Sequence, residues 1–196
     1  MTEFGLTEEA LARCVRDIAD HVDARGWGHP PQMFALVPTA ALAAAEPALL
    51  DQLEDGSELT PIEQEAFPDD IEGGSRALDE FLATTTWPPA VSGCALVQEI
   101  VVLPPEAETD LDEALGPLLA DRDAADDAAR AAAENHPKRR AGRLFAAVLR
   151  DGSSLCLLQL KPEDEDDPYT DLELLTYPDL APNIVEALLS TLESEE

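Results

Sequence analysis

Apolar side chains recur at helical spacing near the start of the chain. Leu11, Val15, Ile18 and Val22 share one face of a helix that Thr7 caps, that Glu8 and Glu9 open and that Arg25-Gly26 closes. The run from Met33 to Val37 reads as a short buried strand stopped by Pro38. Thr39 then caps an Ala-rich helix, which Pro47 interrupts and which resumes as far as Leu53. Thr60-Pro61-Ile62-Glu63 sets out a cap residue, a proline at the first helical position and a Glu three residues after the cap, so a further turn or two of helix is predicted there. Gly73-Gly74-Ser75 resets the chain, and Ser75 caps a helix with Leu78, Phe81 and Leu82 on one face.

The second half changes period. After Trp87-Pro88-Pro89, the β-branched run from Cys94 to Leu103 predicts a strand that Pro104-Pro105 ends. Asp121 to Asn135 is an Ala-rich helix with a thin seam of Ala125, Ala128, Ala129 and Ala132, stopped by His136-Pro137. Gly142 to Arg150 and Ser153 to Lys161 form a hairpin about Asp151-Gly152, read as a two-residue turn. That register sets Phe145, Ala147 and Leu149 opposite Leu158, Cys156 and Ser154. It sets Leu144, Ala146 and Val148 opposite Gln159, Leu157 and Leu155. Both faces are mostly apolar, so the sheet must be covered on both sides. Leu172 to Thr176 gives a last short strand. Asp179 starts a C-terminal helix that turns Leu180, Val185, Leu188, Leu189 and Leu192 inward. The expected architecture is α+β, a mostly antiparallel sheet of about five strands with helices on both faces. We expect one domain over residues 1–196, with a helical half at 1–86 and a sheet-rich half at 87–196.

Charge narrows the function. The 196 residues carry 42 acids against 12 bases, a formal net charge of −30, which opposes binding to nucleic acid or to an anionic membrane surface. No apolar run is long enough to span a bilayer, and Met1-Thr2-Glu3-Phe4 lacks the basic and apolar regions of a signal peptide, so a cytoplasmic protein is expected. Ten Arg against two Lys, with abundant Ala, fit either a GC-rich coding bias or salt adaptation. Aromatics are only 5% of the chain, so Leu, Val, Ile and Ala must build the core.

Reaction signatures are sparse. The chain has no nucleophile elbow, phosphate loop, dinucleotide fingerprint or His-Glu-x-x-His helix, and no cofactor is expected. Cys14, Cys94 and Cys156 are widely spaced and read as small buried hydrophobes. His21 and His29 lack metal-ligand spacing and read as surface or capping residues. A Cys–His pair from Cys156 and His136 would need long-range assembly. The acidic run Glu163-Asp164-Glu165-Asp166-Asp167 lacks the spaced ligands and turn Gly of a calcium loop and reads as solvated. Positive charge is concentrated elsewhere. From His136 to Lys161 lie six of the 12 bases, with Asp151 the only acid. Lys138, Arg139, Arg140 and Arg143 are therefore candidates to contact an anion or a partner, although helix-end placement and pairing with the chain's own carboxylates explain them too.

Several elements in order resemble an uncharacterised family of actinobacterial proteins known chiefly from genome and structural-genomics surveys. They are Trp87-Pro88-Pro89-Ala90-Val91-Ser92-Gly93-Cys94-Ala95, Leu103-Pro104-Pro105, His136-Pro137, Val148-Leu149-Arg150-Asp151-Gly152 and Leu180-Ala181-Pro182. The resemblance implies a cytoplasmic actinobacterial protein and carries over no functional residue. The block from Trp87 to Ala95 reads as a packing corner in which the Trp closes the helical half onto the sheet. The expected function is non-catalytic: an acidic binding, adaptor or chaperone-like protein acting through contacts with a protein partner or as a homodimer. The alternative is a small-molecule binder or enzyme with a pocket formed by Trp87, Cys94, His136 and the basic hairpin. A flat apolar patch rimmed by acids favours the first reading, and a deep polar cleft the second.

Overall fold

The computed structural model describes residues 8–49, 51, 58–65, 67–68, 70–73, 75–103, 122–161, 174–176 and 180–193. Helix α1 (Glu8–Asp23) buries Leu11, Val15, Ile18 and Val22, together with Ala10, Cys14 and Ala19. Strand β1 (Gln32–Pro38) runs into helix α2 (Thr39–Ala45) and a short 3-10 turn, Pro47–Leu49. Then follow β2 (Leu59–Glu63), α3 (Arg76–Ala83), β3 (Gly93–Val102), α4 (Arg122–Asn135), β4 (Arg140–Leu149), β5 (Ser154–Leu160), β6 (Leu174–Leu175) and α5 (Pro182–Leu192). The strands form one sheet in the order β2-β1-β3-β4-β5-β6, and each neighbouring pair is antiparallel.

Helices cover the sheet on both faces, as the apolar hairpin requires. On one side α1 packs on Phe34, Leu36, Ala95, Val97, Phe145, Ala147, Leu149 and Leu157. On the other, α3 and α5 bring Leu78, Leu82, Leu188 and Leu192 onto Met33, Ala35, Cys94, Leu96, Ala146 and Val148. Ser75 caps α3 as expected, accepting from the Leu78 amide at 3.2 Å.

Three expectations are corrected. Thr60-Pro61-Ile62-Glu63 does not start a helix; it lies in the edge strand β2. Gln64 donates its amide to Met33 O and Thr39 donates its own to Glu58 O, so the alternation of the ladder leaves Leu36–Pro61 a non-hydrogen-bonded pair. The missing N–H of Pro61 therefore faces the open edge, where a strand tolerates proline. Thr39 does not cap α2. Pro38 holds that position, and the Thr39 hydroxyl pairs with that of Thr60 at 2.9 Å, joining the helix start to β2.

The hairpin turn is longer by one residue than the Asp151-Gly152 pair suggests. Leu149 donates to Ser153 O at 2.8 Å, Gly152 donates to Leu149 O at 3.0 Å, and Gly152 takes up the left-handed conformation, at φ 94°. This is a three-residue loop, Arg150-Asp151-Gly152, of the kind built on a turn followed by a left-handed Gly. The register shifts by one, so Phe145 faces Leu157 and Ala146 faces Cys156. Leu155 and Leu157 consequently join the α1 side, and Cys156 joins the side of α3 and α5.

The calcium-loop reading of residues 163–167 and the Thr7 cap lie outside the described residues. Among the described residues, no helix is long and apolar enough to cross a membrane.

Candidate functional site

The basic run of the hairpin separates into structural pins and an exposed end. Arg143 faces inward at 1% exposure, so it is not part of a surface patch. It donates to Gln159 Oε1 at 2.9 Å and to Gly26 O at 2.5 Å, and its guanidinium lies 4.2 Å above the Trp27 ring. Gln159 in turn donates to Asp23 Oδ1 at 2.7 Å. Glu99, opposite Arg143 in the ladder, accepts from the amides of Gly28 (2.8 Å) and His29 (2.5 Å). Together these groups fasten the loop after α1 to β3, β4 and β5. Burial pulls the Arg143 guanidinium below the usual arginine range, and the charges of Glu99 and Asp23 oppose that shift.

Arg150 is a second pin. It donates to the carbonyls of Val91 (2.7 Å), Pro88 (3.1 Å), Trp87 (3.3 Å) and Leu192, tying the turn after α3 to the end of α5. Lys138, Arg139 and Arg140 remain exposed. Arg139 donates to His136 O at 3.1 Å, and Arg140 donates to Lys161 O at 3.1 Å.

The expected pocket of Trp87, Cys94 and His136 is assembled only in part. Trp87 donates its indole N–H to Thr191 Oγ1 at 3.0 Å, and the Cys94 thiol lies 3.6 Å from the same oxygen. His136 belongs elsewhere. Cys94 pairs with Val148, while Arg140, just after His136, pairs with Val102 at the far end of β3. Those ends are about 27 Å apart at strand rise. The same geometry separates His136 from Cys156, which pairs with Ala146 six residues along β4, about 20 Å away. Burial pushes the Cys94 thiol up to about 11, against the Thr191 hydrogen bond and the Arg150 charge. It pushes Cys14 up to about 12, with Asp17 adding to the effect, and raises Cys156 as well. A protonated, shielded thiol is a poor nucleophile.

His21 and His29 do what their spacing suggested. His29 Nε2 contacts Arg25 O at 2.9 Å beyond the end of α1, and His21 contacts Glu63 at 3.3 Å beside the bidentate Arg25–Glu63 pair at 2.7 Å. Among the described residues, no cluster of three or more His, Cys, Asp or Glu is placed to hold a metal ion.

What the structure builds beside Trp87 is an open groove of about 550 Å³. Met33, Phe67, Phe81, Trp87 and Pro88 supply its apolar walls, and Gln64, Glu65, Thr85 and Thr86 its polar ones. Phe67 and Phe81 meet edge to face, their centroids 4.7 Å apart, and Phe81 keeps 38% of its surface exposed. The chain has only five Phe, two Trp and two Tyr, so three of its aromatic rings gather at one place. The groove is aromatic, open and acid-bearing.

Sequence reasoning reached Trp87 and missed Phe67, Glu65 and Thr191. Thr191 carried a signal, being a polar residue within the apolar stripe Leu188, Leu189 and Leu192, where burial demands a partner.

A family model described as PPA1309-like protein matches residues 11–193. The chain belongs to that family, and the match takes in the six strands of the described residues and the groove residues. No curated protein and no solved structure matches the chain.

Proposed function

We propose that the protein is a non-catalytic acidic binding protein, an adaptor or chaperone-like partner of another protein, that works in the cytoplasm of an actinobacterium. The observation that carries this reading is the groove beside Trp87. The Trp87 ring is fixed by the bond to Thr191, Phe81 stands exposed in the same groove, and the walls combine apolar side chains with Gln64, Glu65, Thr85 and Thr86. Aromatic side chains held rigid before contact are what protein interfaces use as anchors. A separate partner fits better than a homodimer through this face, because two copies at −30 repel one another.

The experiment is capture of the tagged protein from its own host, wild type beside Phe81→Ser, at low and high salt. A stoichiometric protein partner held by the wild type and lost by the variant supports the reading. A partner retained by Phe81→Ser, or a metabolite recovered without a protein, contradicts it.

A further inference from the structure

We propose that the groove beside Trp87 receives a short cationic segment of the partner, anchored by apolar side chains. The inference rests on the binding reading and names the chemistry of the occupant. Three observations support it. First, the groove is open, and its volume of about 550 Å³ leaves room for a few side chains. Second, the chain that supplies the groove's walls is acidic. Glu65 lines the groove itself, and Glu58, Asp70, Glu72, Asp79 and Glu80 are exposed on the same stretch. Arg76 is the single base described there and lies 3.4 Å from Glu80. Arg150 spends its donors on the carbonyls of Trp87 and Pro88, which line the groove, and on those of Val91 and Leu192. Third, the faces of Trp87 and Phe81 attract guanidinium and ammonium groups through the ring quadrupole, so the same rings serve both the apolar and the cationic parts of a segment. An acidic segment, a phosphate-rich polymer or a second copy of this chain meets repulsion at the same place.

The test is a titration of the ¹⁵N-labelled full chain, followed by amide and indole shifts, with three capped octapeptides. They are KRFPLLRK, its acidic counterpart EEFPLLEE and the anchor-free KRSPSSRK. KRFPLLRK is expected to shift Gln64, Glu65, Phe81, Thr85, Thr86 and the Trp87 indole. Binding should weaken about ten-fold between 50 and 300 mM salt and at least about five-fold in Glu65→Gln, as screening and loss of a facing charge require. Loss of the anchors in KRSPSSRK should cost at least about ten-fold. Equal binding of EEFPLLEE or of KRSPSSRK, shifts confined to other surfaces, or no shift with any peptide overturns the inference. In each of those cases a partner lost by Phe81→Ser in the capture experiment leaves the docking surface in place and removes only the assigned chemistry.

Discussion

Trp87 on the turn after α3 and Thr191 on the last helix lie 104 residues apart in sequence and share one hydrogen bond of 3.0 Å. Thr191 is 2% exposed and donates its hydroxyl to Leu188 O at 2.6 Å, which leaves a lone pair of its oxygen to accept from the indole. The groove thus depends on a buried hydroxyl that no groove-facing residue supplies. Thr191→Val keeps the shape and removes the acceptor. It is expected to cost about 0.5–1.5 kcal/mol in urea unfolding, the range for a part-buried hydrogen bond, and to change Trp emission. A variant as stable as the wild type would show that the bond holds nothing in place.

Arg143 predicts a contrast within the basic run. Arg143→Met strips Gly26 O and Gln159 of their donor and loses the stack on Trp27, for about 2–4 kcal/mol. Arg140→Met, at an exposed position, should fall within about 0.5 kcal/mol of the wild type. Equal losses in the two variants would remove the distinction between pin and surface charge.

Two glycines should respond differently to Ala. At Gly152 the left-handed φ of 94° makes Ala cost about 1–2 kcal/mol, with open space around the new methyl. At Gly93 a Cβ would lie 2.3 Å from Val148 O and 2.7 Å from Leu149 Cδ2, so β3 and β4 must separate. Gly93→Ala should be the more destabilising of the two by thermal melting. The reverse order would contradict the close β3–β4 packing at Gly93.

The buried thiols set an alkaline limit. Unfolded cysteines ionise near 9, whereas Cys94 and Cys14 hold their protons to about 11 and about 12. Above pH 9 the unfolded chain releases protons that the folded chain keeps. The thiol contribution to stability is therefore whole below pH 9 and is lost as pH climbs towards 11–12. Urea midpoints should fall from pH 8.5 to 10.5, and less steeply in Cys14→Ala and Cys94→Ala. At pH 8, native Cys14 and Cys94 should resist alkylation, with half-buried Cys156 reacting first.

A charge of −30 predicts a salt response of fixed sign. Raising NaCl from 0.1 to 1 M shortens the screening length from about 10 to about 3 Å and relieves self-repulsion. Each kcal/mol so gained raises the melting midpoint by about 2–4 °C in a chain of this size. A midpoint that falls with NaCl would show that attractive ion pairs, such as Arg25–Glu63, outweigh the excess of acid.

Most of the fold was legible because its signals were redundant. The stripe of α1, the Ser75 cap, the run from Cys94 and the two-faced hairpin each agree with the layers they form. Errors arose where one local motif satisfies two structures. Thr60-Pro61-Ile62-Glu63 has the order of a helix start, yet Pro61 also suits an edge position whose N–H faces away from its neighbour. Asp151-Gly152 fits a two-residue turn and equally the end of a three-residue loop, and only pairing over the whole hairpin decides.

The site was less legible than the fold. Arg143 looked like surface charge because its partners, Gly26, Trp27 and Gln159, come from separate parts of the chain. His136 looked close to Cys94 until the ladder placed them at opposite ends of β3. Trp87 stood out by composition, but the groove around it needs Met33 from β1 and Phe81 from α3.

Hydrogen exchange on the captured wild-type complex tests the docking surface most directly. New protection is expected in peptides covering residues 64–67 and 81–88, with the exposed basic end at 138–140 unchanged. Protection at 138–140 in place of the groove, or none at the groove in a stoichiometric complex, would contradict it.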